Sequence, residues 1–92
     1  MFLKFNEDIV ITDFEDGKLL TEVVTSESYY LDFDSFKIIE DCLDEYIEME
    51  KLYKDIFEYK DFIEFIQFLI QKNILLKRRW NVWRKRNQLS LN

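Results

Sequence analysis

Apolar residues in the first third of the chain come in short β-branched and aromatic runs separated by polar breaks. From about Phe36 onward they recur at intervals of three and four. The first pattern predicts strands and the second helices. Asp8 to Phe14, Lys18 to Thr25 and Ser28 to Phe33 are the three expected strands, and Phe2 to Phe5 adds a short edge piece. Asp16-Gly17 is expected to make a tight turn in which Gly17 supplies a positive φ. Ser26-Glu27 is a second polar break. Asp34 or Ser35 is placed to cap a first helix whose apolar positions are Phe36, Ile39, Leu43 and Tyr46-Ile47, with Ile38 and Cys42 alongside. A second helix is expected from about Met49 to Tyr59, with Leu52, Tyr53, Ile56 and Phe57 inward.

The third helix carries the strongest signal. Asp61-Phe62-Ile63-Glu64 has an acid three residues after a capping acid, a variant of the capping box. Phe62, Phe65, Ile66 and Leu69 then form one face, and Ile63 and Ile70 a flank. This face is wider than packing on one neighbour requires. Phe68 falls outside it, beside Glu64 and Lys72, and is expected to be exposed. Asn73 tolerates the left-handed conformation that ends helices, so Ile74-Leu75-Leu76-Lys77 is expected to be extended and to pack back. The competing reading lets the helix run on, so that Leu76, Trp80 and Trp83 prolong the stripe.

Strands first and helices after imply an α+β domain. A length of 92 residues suits one domain, and 48% apolar content is too high for disorder. No apolar run approaches the length needed to span a bilayer, and the first residues do not resemble a signal peptide. With a lone Cys42 excluding an internal disulfide, the expected location is cytoplasmic.

The chemical inventory narrows the function. The chain has no His and one Cys, which removes His-based triads and His or Cys zinc sites. Gly17 is its sole glycine, so there is no Gly-rich phosphate loop. No enzyme motif is present, and neither catalysis nor a cofactor is expected. Charge is divided unevenly. From Lys77 onward there are six cations and no acids, while the preceding 76 residues hold seven cations and all 19 acids, a net charge of −12. The expected organisation is a domain over residues 1–76 followed by a basic, Trp-containing tail over 77–92. Arg78, Arg79, Trp80, Trp83 and Arg84 are its candidate partner-binding residues.

Three stretches carry a family resemblance: the turn Glu15-Asp16-Gly17-Lys18, the passage from Tyr29-Tyr30-Leu31-Asp32 into the helix of Ile38, Ile39 and Leu43, and the segment from Asp61 to Leu75. Together, over about residues 8–76, the chain resembles the PqqD-like precursor-peptide recognition elements of ribosomal peptide natural-product pathways. The resemblance implies a winged-helix-like α+β fold, a three-stranded antiparallel β-meander followed by three α-helices. It implies a non-catalytic module that binds the leader segment of a precursor peptide by β-strand addition and delivers it to a separate modifying enzyme or protease. Two features depart from the family: Asn73 stands where Gly is usual, and the basic tail has no counterpart there.

In that family the leader adds to the free edge of the third strand, against the third helix. Strand addition of this kind draws affinity from backbone hydrogen bonds and specificity from side-chain pockets. The positions so implied here are Tyr29, Tyr30 and Leu31 on the strand and Ile63, Ile66, Gln67, Ile70 and Ile74 on and after the helix. Alternation decides which of Tyr29 and Tyr30 faces the groove, and the sequence leaves that register open. The acidic body favours leaders with Lys or Arg beside an apolar anchor. Two other classes fit the composition: a small acidic inhibitor or adaptor, as monomer or homodimer, and a winged-helix nucleic-acid binder using the aromatic, basic tail. The acidic body speaks against nucleic acid, and nothing points to a membrane.

Overall fold

A computed structural model describes residues 1–55 and 57–79. The chain is mixed α+β, with two small antiparallel three-stranded sheets and three helices. The strands are β1 (Phe2–Phe5), β2 (Ile9–Phe14), β3 (Gly17–Glu22), β4 (Ser28–Asp32), β5 (Ile47–Glu48) and β6 (Leu75–Arg78). The helices are α1 (Phe33–Ile39), α2 (Met49–Leu52) and α3 (Tyr59–Gln71). No helix among the described residues is long and apolar enough to cross a membrane.

Consecutive strands β2, β3 and β4 pair in that order. Residues facing each other across the ladder share a face, so the register sorts this sheet. Ile11, Leu20 and Tyr29 lie on one rung and Asp13, Lys18 and Leu31 on another, both on the inner side. Val10, Phe14, Leu19 and Tyr30 share the outer side. The β2–β3 turn departs from expectation. Gly17 does not have a positive φ. Glycine is required there for space, because a Cβ would run into the Leu31 carbonyl oxygen and the Tyr30 ring. Strand β3 stops at Glu22 rather than Thr25. The buried Glu22 carboxylate accepts the backbone N–H groups of Val24 (3.2 Å) and Thr25 (2.7 Å), which folds the next residues into a loop, and Ser26 closes it at φ 62°.

Phe2 to Phe5 is no edge piece. As β1 it is the central strand of a second sheet, in the order β5-β1-β6. It pairs with β5 (Leu3 opposite Ile47) and along its whole length with β6 (Phe5 opposite Leu75, Phe2 opposite Arg78). Leu3, Phe5 and Leu75 turn inward and join Leu20, Leu31, Phe36, Ile39, Phe62, Ile66, Leu69 and Ile74 in one core.

The helices are shorter or start elsewhere than the apolar spacing implies. Asp32, rather than Asp34 or Ser35, caps α1, its carboxylate accepting Ser35 N–H at 2.8 Å. The helix gives way at Glu40 to a 3₁₀ turn through Cys42. Glu40, Asp41, Asp44 and Glu45 would place carboxylates along the negative end of a longer helix, where the macrodipole opposes them. Ile47 instead pairs with β1. Helix α2 is a single turn, ending where Tyr53 becomes extended. The Tyr53 hydroxyl donates to the Phe57 carbonyl at 2.8 Å, and its ring packs edge-on against Tyr59 (5.2 Å) and Phe62 (5.3 Å). Ile56 lies outside the described residues. Helix α3 begins at Tyr59, so Asp61 sits in its first turn, with its charge near the positive end of the helix, and is not the cap. Asn73 adopts φ 60° and ends the helix segment as expected, and β6 follows instead of more helix. That strand runs through Lys77 and Arg78, two residues past the expected domain boundary at 76.

Candidate functional site

Strand β4 pairs with β3 on one side only. The Glu22 N–H donates to the Glu27 carbonyl at 2.9 Å, so Glu27 faces β3. Backbone groups alternate along an antiparallel strand, so Tyr29 and Leu31 also bond inward, while the N–H and C=O of Ser28 and Tyr30 point out of the sheet. Among the described residues no strand takes them up. Pro, Lys and bulges usually protect such an edge, and none lies between Ser28 and Asp32.

Side chains from α3 stand beside this edge on the inner face. The Tyr29 ring meets Phe68 edge-on, centroids 5.6 Å apart. Lys72 Nζ lies 5.9 Å from the Tyr29 ring and 6.0 Å from the Phe68 ring, within cation–π range. The Tyr29 hydroxyl donates to the Glu27 carboxylate, a bond that raises the Tyr29 pKa. Aromatic surface, a cation and a carboxylate therefore line the open side of β4. Phe68 is 39% exposed, as its position on the polar flank of the helix implied.

The other sequence-derived positions divide. Leu31, Ile66 and Ile74 are buried core residues. Ile63 and Ile70 are half-buried against that core, and Gln67 is exposed on α3. Tyr30 points to the opposite face from Tyr29. Its ring covers Gly17 and meets Phe14 at 6.4 Å, and its hydroxyl donates to Asp16. That bond, with desolvation and the charges of Asp16 and Asp32, pushes its pKa up to about 12. Tyr30 thus offers the edge its backbone rather than its ring. Phe68 and Lys72, which were not among the expected positions, join Tyr29 from α3. The signal was a large aromatic isolated among polar helix positions. Of the tail residues, Arg78 belongs to β6 and Arg79 follows it. Trp80, Trp83 and Arg84 lie outside the described residues.

No family model, curated protein or solved structure matches the chain. Among the described residues no three His, Cys, Asp or Glu side chains group as metal ligands. Hydrogen bonds from Thr25, by its side chain and then its backbone, and from Val24 hold the Glu22 carboxyl below its ordinary pKa, so it stays ionised in its loop. Burial, and secondarily Asp41, pushes the Cys42 thiol up to about 12, far from a reactive thiolate. What remains on offer at β4 is an open backbone ladder flanked by rings.

Proposed function

We propose that this chain is a non-catalytic recognition module of the PqqD-like, winged-helix-like kind, binding the leader segment of a ribosomally made precursor peptide. The leader adds as a strand to β4 and is thereby held near a separate modifying enzyme. The observation that carries this reading is the unpaired outer ladder of β4, at Ser28 and Tyr30, beside the Tyr29–Phe68–Lys72 cluster. Backbone pairing supplies sequence-tolerant affinity and the rings take an apolar anchor. The order β2-β3-β4, α1, α2, α3, with Tyr29 of the third strand of the sheet meeting Phe68 of the third helix, supports the likeness. Tethering raises the local concentration of the peptide at its enzyme without new contacts.

The test is a fluorescence-polarisation titration with a labelled leader peptide encoded by a short gene neighbouring this one. Ser28→Pro removes an outward N–H and leaves the β3 ladder intact; Phe68→Asp removes a ring from an exposed position. Saturable binding lost in both variants, with unchanged circular dichroism, supports strand addition. Binding indifferent to Ser28→Pro rules it out.

A second reading, the interaction or adaptor protein, is favoured by the outer face of the same sheet. Val10 (53% exposed), Phe14 (49%) and Tyr30 (48%) leave apolar surface open there. Sedimentation that shows a dimer dispersed by Phe14→Asp would move the function to that face.

A further inference from the structure

The second sheet carries a different chemistry on the side facing away from the core. Lys4 stands opposite Leu76, and Phe2 opposite Arg78, so Lys4 and Arg78 project from neighbouring strands to one face. Tyr46, just before β5, lies against both. The Arg78 Nε–H donates to the Tyr46 hydroxyl oxygen at 2.7 Å, and the guanidinium carbon sits 4.8 Å from the ring centroid. Lys4 Nζ is 5.9 Å from the same centroid. These three side chains, with Asn6, Glu7 and Asp8, line a hollow of ≈ 230 Å³.

Two cations gathered on one tyrosine repel each other unless an anion joins them. No carboxylate among the described residues forms an ion pair with Lys4 or Arg78. Residues 80–92 contain no Asp or Glu that could supply one. Stacking on Tyr46 holds the guanidinium in place, and the use of Nε leaves the two terminal nitrogens free as a fork for oxygen. The Tyr46 hydroxyl accepts from Arg78 and keeps its own proton to donate. Lys4 adds a second positive charge. Asn6 is already committed, its amide donating to the Asn73 carbonyl and its oxygen accepting from Asp8 N–H, which fixes the wall of the hollow.

We propose that this hollow is a binding site for a compact dianionic oxyanion, the phosphate group of a small molecule. Two cations match two charges, and the guanidinium fork, hydroxyl and ammonium can meet several oxygens of one tetrahedral group. Glu7 and Asp8 line the same hollow and repel further negative charge, so the site takes a single phosphate in preference to a polyanion such as nucleic acid. It is independent of the β4 edge.

The test is a ¹H–¹⁵N NMR titration of the full chain at constant ionic strength with inorganic phosphate, phenyl phosphate and acetate. Saturable shifts confined to Lys4, Tyr46 and Arg78, including the Arg78 side-chain N–H, are expected with both phosphates. Tighter binding of phenyl phosphate assigns the site to an ester, and equal binding to the free ion. Lys4→Gln weakens the response roughly tenfold or more, the range of a charge-assisted hydrogen bond, and Arg78→Lys does the same by losing the fork. Thermal melts of both variants report whether the fold is kept. Unsaturated shifts spread over many Lys and Arg residues overturn the site. So does an unchanged response in Lys4→Gln, and an equal midpoint for acetate overturns the dianion.

Discussion

The two sheets of this molecule are built on opposite plans. In β2-β3-β4 each strand pairs with its neighbour in sequence, and much of the outer face and the β4 edge remain open. In β5-β1-β6 the central strand is bracketed by segments from distant parts of the chain, and its inner side is core. The first plan gives a surface that can accept another strand. The second ties residues near the start of the described chain to the helix that flanks that surface, because β6 follows directly from α3. The open strand edge and the buried central strand thereby fall in different sheets.

That division is sharpest in side-chain truncation. Leu3→Ala, in the buried central strand, is expected to destabilise the fold by about 2–5 kcal/mol in chemical denaturation, against about 0.5 kcal/mol or less for Val10→Ala on the outer face. Equal effects would break the comparison. Next in size is Gly17→Ala, expected to lose roughly 1–3 kcal/mol by overpacking against Tyr30 and Leu31. Combining it with Tyr30→Ala should recover only part, since the Leu31 carbonyl remains in the way.

Acid sharpens it further. Glu22 and Asp32 both have carboxyl pKa values lowered in the fold, Glu22 by Thr25 and Val24, Asp32 by the N–H of Ser35 and then its side chain. A lowered folded pKa means that the stabilisation is complete above the unfolded value, near 4.5 for Glu22 and 3.8 for Asp32, and is lost as pH falls through the folded value. Thermal melts between neutral and acid pH should show that loss, and Glu22→Gln should flatten part of the slope. The smallest signal is kinetic. Cys42 in the folded chain should resist a thiol reagent such as DTNB at neutral pH, reacting only as denaturant opens the core.

Much of the first sheet was legible in the sequence, because its signals are local: β-branched runs, a polar two-residue turn and a second break. The end of α3 was legible for the same reason, since Asn73 marks it locally with its left-handed backbone. The second sheet was not, because Phe2 to Phe5 acquires its meaning from Ile47 and from Leu75 to Arg78. Helical spacing continued through Leu43 to Ile47 while the acids there opposed a helix, and spacing by itself does not weigh charge. Composition marks Gly17 as a turn residue, but the Tyr30 ring and the Leu31 carbonyl on β4 make it a packing residue. At the candidate site, Tyr29 and the isolated Phe68 were visible, but their meeting was not; of the isoleucines implied by resemblance, Ile66 and Ile74 are core and Ile63 and Ile70 are half-buried against it. Arg78 and Tyr46, 32 residues apart, gave no shared signal at all.

The pairing of β1 also sets an order in time. As the chain leaves the ribosome, the β2–β3 hairpin has its partners within a few residues and can close early, on the microsecond scale of hairpins. Strand β1, made before it, must wait until residues 75–78 have emerged before its longer ladder can form. Until then Leu3 and Phe5 have no finished core to enter, and their apolar side chains stay open to a chaperone.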